Sequence, residues 1–112
     1  MYGGDIGMQV IDLSPLPGSP PIQLDTYNGI VHSHNLWIDS SGYAYIVHQT
    51  GDNIHILNLL NPSFPTYESS FGNQAINCHD IYTRNNMAYV SEGWSNQFGI
   101  YNITNLDDII LL

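Results

Sequence analysis

Histidine is the residue type in this sequence best suited to chemistry, and its neighbours narrow what that chemistry would be. His34-Asn35 and His79-Asp80 stand 45 residues apart, and two later runs end in His48 and Glu92. Imidazoles and carboxylates that converge can ligate Zn²⁺ or Ca²⁺, or move protons near neutral pH. His34 and His79 are the candidate metal ligands. His34, Asn35, His48, His79, Asp80, Glu92 and Trp94 form the wider candidate ligand-binding set. The same imidazoles serve equally as caps that bond a neighbouring carbonyl at a strand end. No His-Glu-x-x-His, EF-hand or Cys-pair spacing accompanies them.

Other reactive residue types give less. Cys78 is the only cysteine, so no internal disulfide forms and the redox compartment stays open. It precedes His79, but adjacent strand residues point to opposite faces, so the two converge only across a bulge. A buried structural thiol is expected. Trp94, in Gly93-Trp94-Ser95-Asn96, could stack on a sugar or peptide, or cover the space between sheets. Ser14, Ser33 and Ser91 lack a nucleophile elbow, and no phosphate-binding glycine loop occurs. No catalytic residue is assigned. Asn102-Ile103-Thr104 is a formal glycosylation sequon.

The elements that would hold these residues come in copies. Tyr43-Ala44-Tyr45-Ile46-Val47 aligns with Met87-Ala88-Tyr89-Val90-Ser91, and Ile54-His55-Ile56-Leu57-Asn58-Leu59 with Phe98-Gly99-Ile100-Tyr101-Asn102-Ile103. Met8-Gln9-Val10-Ile11-Asp12-Leu13 reads as the same segment of an earlier copy. The period is near 45 and is built of β-branched and aromatic runs. Strands are expected near 6–14, 22–27, 34–39, 43–48, 53–59, 66–71, 79–84, 87–91, 97–103 and 109–112, with no helix. Asn85-Asn86 makes a two-residue turn because Asn tolerates positive φ, and Gly42 takes the left-handed position of a three-residue turn. Those turns pair Ile38 with Ala44, His34 with His48, Thr83 with Ala88, and His79 with Glu92.

Side-chain alternation then places Leu36, Ile38, Ala44 and Ile46 on one face of the first hairpin and Trp37, Tyr43, Tyr45 and Val47 on the other. The second hairpin has Ile81, Ala88 and Val90 against Tyr82, Met87 and Tyr89. A sheet with one wet face alternates apolar with polar, so sheets that are apolar on both faces need cover on both. Radially stacked blades supply it. The expected fold is all-β, a partial β-propeller of about two and a half four-stranded antiparallel blades. Residues 1–27 end one blade, 28–72 make a complete blade and 73–112 a further one. Most of the ring is expected outside this sequence. In a propeller the first strand of each blade lines the channel, so one rim would carry His34 with His48 and His79 with Glu92, near His32, Asn35 and Asp80.

Composition removes some partners. Ten Asp and Glu oppose a single basic residue, Arg84, for a net charge of −9. Binding to nucleic acid or to an anionic membrane needs Lys and Arg, so both are poor expectations. No apolar run approaches the ~20 residues that span a bilayer.

His34-Asn35-Leu36-Trp37-Ile38-Asp39, Gly42-Tyr43-Ala44-Tyr45-Ile46-Val47, Ile54-His55-Ile56-Leu57-Asn58-Leu59 with Asn61-Pro62 and Pro65, and His79-Asp80-Ile81-Tyr82 with Ala88-Tyr89-Val90-Ser91-Glu92-Gly93 resemble the LVIVD-repeat proteins, in particular the choice-of-anchor B group. Asn58 and Asn102 stand where that family commonly has Asp, and Leu106 replaces an expected Pro. The resemblance implies a secreted or cell-surface propeller whose activity is largely uncharacterised. The expected function is a non-catalytic scaffold that binds a protein, glycan or surface polymer through its loop rim, beside the remaining blades of the same protein. The alternative is an enzyme with a metal, Zn²⁺ or Ca²⁺, at the channel mouth; otherwise no cofactor is expected.

Overall fold

The computed structural model describes residues 7–48, 52–72, 78–93 and 97–112. These form ten strands and no helix: β1 (Met8–Asp12), β2 (Ile22–Tyr27), β3 (Asn35–Ile38), β4 (Tyr43–Val47), β5 (Ile54–Asn58), β6 (Thr66–Phe71), β7 (Cys78–Arg84), β8 (Met87–Glu92), β9 (Gln97–Asn102) and β10 (Ile110–Leu111). Every strand lies where the alternating apolar runs put it. They make three antiparallel sheets, β1-β2, β3-β4-β5-β6 and β10-β9-β8-β7, none closed on itself.

Turn chemistry fixes the hairpins. Asn85 and Asn86 adopt φ of 52° and 59°, the double left-handed conformation of a tight turn, and Arg84 pairs with Met87 across it. Gly42 takes φ 87° in the β3–β4 turn. There Asp39 Oδ1 accepts the Ser41 and Tyr43 amides, and Asp39 Oδ2 accepts the Tyr45 hydroxyl. β1, β5 and β9 end in one shared device. Asp12, Asn58 and Asn102 each accept, through Oδ1, the amide two residues on, from Ser14, Leu60 and Thr104 at 2.8–2.9 Å. The amide carbonyls of Asn58 and Asn102 thus make the bond that the carboxylate of Asp12 makes.

Packing follows the two-faced pattern, with one exception. Tyr45, Val47 and Ile56 of the middle sheet share a core with Ile81, Ala88 and Val90 of the last. The aromatic face of one sheet therefore meets the small aliphatic face of the next. On its other side the middle sheet buries Ala44, Ile46 and Leu57 against Ile30, with Met8 and Tyr27 alongside. Leu36 and Ile38 were expected on that buried face but are 46% and 53% exposed. The β1-β2 sheet has only two strands, enough to cover β4 and β5 but not β3.

One register differs from expectation. Glu92 pairs with Cys78, not His79, because a bulge between Cys78 and Asp80 inserts His79 as an extra residue. Below the bulge, pairing resumes as expected from Ile81–Val90 to Arg84–Met87. The shift turns Cys78 inward onto the core and leaves His79 exposed. A thiol packs among apolar groups, whereas an imidazole there would lose its hydration.

Candidate functional site

β3 and β7 lie side by side where the two four-stranded sheets meet, and residues in corresponding positions touch. His34 Nε2 is 3.2 Å from His79 Nε2, with the rings edge to face at 4.4 Å. That separation is a hydrogen bond when one nitrogen is protonated and the other is not. Next along the strands, Asn35 Nδ2 donates to Asp80 Oδ1 at 2.8 Å. Each of these side chains also braces its own backbone: Asn35 Oδ1 accepts the Leu36 amide and Asp80 Oδ1 the Ile81 amide. Further on, the Trp37 indole N–H donates to Thr83 Oγ1 at 3.0 Å and the Trp37 ring meets Tyr82 edge on at 4.8 Å. His34, Asn35, His79 and Asp80 thus form one exposed polar row.

The geometry of the bulge delivers His79 to this row. An extra strand residue re-aims the side chain it carries. Gly93 keeps the ground beside it clear, since a Cβ there would stand 3.0 Å from His79 Cβ. His34 is fixed through its backbone, its amide donating to the Val47 carbonyl at 2.8 Å.

His48 and Glu92, expected on the same rim, point elsewhere. Glu92 is buried opposite Cys78. Burial, and then the neighbouring Glu92, push the Cys78 thiol up to about 11, so the sulfur is held as an inert thiol. His48 is 2% exposed, with its ring edge on to His55 at 4.4 Å. Trp94 lies outside the described residues. His32 is half-buried and takes φ 57° just before β3.

His48 belongs to a second cluster that the hairpin registers did not reveal. Tyr27 of the first sheet reaches His55 Nδ1 at 3.4 Å, and Tyr67 packs edge on against His55 at 5.4 Å. The Tyr67 hydroxyl donates to Ser70 Oγ, which donates to Asp52 Oδ2 at 2.8 Å. Burial, with His55 adding to it and Asp52 opposing, holds His48 down to about 4. Burial also lowers His55 and raises Tyr27. The signal in the sequence was parity. Once Val47 is paired with Ile54, His48 and His55 fall on the face of Ala44, Ile46 and Leu57.

Among the described residues, no group of three or more His, Cys, Asp and Glu side chains is arranged to hold a metal ion. An open groove of about 480 Å³ runs over the outer face of the last sheet, along Tyr82, Tyr89 and Phe98, and does not include the histidine pair. No described helix is long and apolar enough to cross a membrane. No family model, curated protein or solved structure matches the chain.

Proposed function

We propose that this chain is part of an extracellular or cell-surface β-propeller of the LVIVD-repeat, choice-of-anchor B kind, acting as a non-catalytic binding scaffold. The observation that carries the reading is contact between positions 45 apart: His34 with His79, Asn35 with Asp80, Trp37 with Tyr82. When units are related by rotation, the gap between equivalent atoms grows with distance from the axis. Equivalent residues that touch therefore belong to the innermost strand, which in a propeller lines the channel. Sheet order supports the same reading, since both four-stranded sheets run as plain meanders outward from β3 and β7.

Bare faces at both ends add to it. Leu36 and Ile38 at one end, and Tyr82 and Phe98 at the other, are aliphatic and aromatic surfaces of the two kinds that mate in the middle of the chain. The remaining strands of the first blade would cover Leu36 and Ile38, and a further blade would cover Tyr82 and Phe98. The exposed row His34, Asn35, His79 and Asp80 lies at the channel mouth in this arrangement. It offers hydrogen-bond donors and acceptors to a protein, glycan or surface polymer rather than a reaction centre.

Electron microscopy of the full-length protein tests the architecture; a closed ring of four-stranded blades is expected, and a single closed barrel or a linear stack overturns it. A glycan and surface-polymer array tests the function. Asn35→Ala with Asp80→Ala, and separately Trp94→Ala, are expected to weaken retention. Retention unchanged in both variants overturns binding at this rim.

A further inference from the structure

We propose that the Nε2 atoms of His34 and His79 together form a two-imidazole site for a divalent transition-metal ion of the Zn²⁺ class. The inference goes beyond the propeller reading and does not need it, because the site uses only His34 at the entry to β3, His79 of β7 and the contact between them.

The spacing is the first argument. Zn²⁺ binds imidazole nitrogen at about 2.0–2.1 Å, so two nitrogens at a tetrahedral angle on one ion lie about 3.3–3.4 Å apart. His34 Nε2 and His79 Nε2 are 3.2 Å apart already. Both side chains face solvent, where an ion can enter, replace the proton shared by the two nitrogens and keep water as its remaining ligands.

Preorganisation is the second. The two backbones are tied together on one side of the pair by the Asn35–Asp80 bond and further along by the Trp37–Thr83 bond. The bulge at Cys78/Asp80 exists in only one of the two hairpins, and it is this irregularity that brings His79 up to His34. Bulges are over-represented at sheet edges, as at the edge strand β7, and beside active sites, where they re-aim a side chain. Ligand type is the third argument. Imidazole suits Zn²⁺, Cu²⁺ and Ni²⁺, whereas Ca²⁺ and Mg²⁺ prefer all-oxygen sites. The net charge of −9 favours any cation over any anion.

The test is calorimetric titration of chelator-treated protein with Zn²⁺ at pH 7.5. Saturable uptake of one ion per chain is expected. His34→Gln and His79→Gln should each weaken it at least about tenfold, the lower end of the loss seen when even supporting residues of metal sites are removed. In the unsubstituted protein, Zn²⁺ should shift the imidazole ¹⁵N resonances of His34 and His79 together; this reads the site directly should either variant fail to fold. No saturable uptake at millimolar Zn²⁺, affinity unchanged in both variants, or shifts confined to other histidines would overturn the proposal. A linear or barrel-shaped full-length protein would sink the propeller reading and leave this result untouched.

Discussion

His48 is a base locked away from protons, and that has a definite sign. Its folded pKa lies near 4 against an ordinary value of 6.5, lowered first by burial and then by His55. Between those values the unfolded chain binds the extra proton, so folding stability is full above about pH 6.5 and falls as pH drops toward 4. His55 is shifted in the same direction and adds to the loss. Melting temperatures should hold between pH 7.5 and about 6.5 and fall from there to pH 4.5. His48→Gln should flatten that dependence, although it lowers the starting stability. A melting temperature constant over this range would contradict the placement of His48. Cys78 gives a second check at the same scale. Buried, with its thiol pushed up to about 11, it should resist iodoacetamide in the native protein and react fully in denaturant.

Short polar devices at strand ends set the geometry of each element. Asn102→Ala removes the bond from Oδ1 to the Thr104 amide and should cost about 1 kcal/mol. Asn102→Asp should be nearly silent, because Asp12 already makes the equivalent bond to Ser14. Asn86→Val, a β-branched residue at φ 59°, should cost roughly 1–2 kcal/mol in chemical denaturation. Strand positions and hairpin pairing were legible in the sequence because both are local. Alternation assigns faces, and Asn85-Asn86 and Gly42 set the turns. The bulge at His79 was not legible. It depends on which of Cys78 and His79 the neighbouring sheet accepts into its core, and no local pattern carries that choice. The His48–His55 pair follows from parity, but Tyr27 arrives from a different sheet and was hidden for the same reason.

The molecule as a whole carries two bare apolar surfaces of complementary character. Tyr82 and Phe98, 44% and 62% exposed, leave an aromatic face bare, while Leu36 and Ile38 leave an aliphatic one. Unpaired sheet edges and apolar faces of this kind promote association. The 112-residue chain on its own should therefore sediment as a mixture of oligomers. Because its charge of −9 opposes contact, association should grow as salt shortens the screening length to about 10 Å near 0.1 M. Phe98→Ser with Tyr82→Ser should shift the distribution toward monomer. A sharp, salt-independent monomer peak for the parent chain would contradict the exposed faces.

Trp37 sits where the two four-stranded sheets touch, its indole N–H held by Thr83 of the other sheet. The chain has one other tryptophan, Trp94. With Trp94→Phe, emission would come from Trp37 alone. Its colour would then report, in a cuvette and without labels, whether the sheets have docked or merely formed.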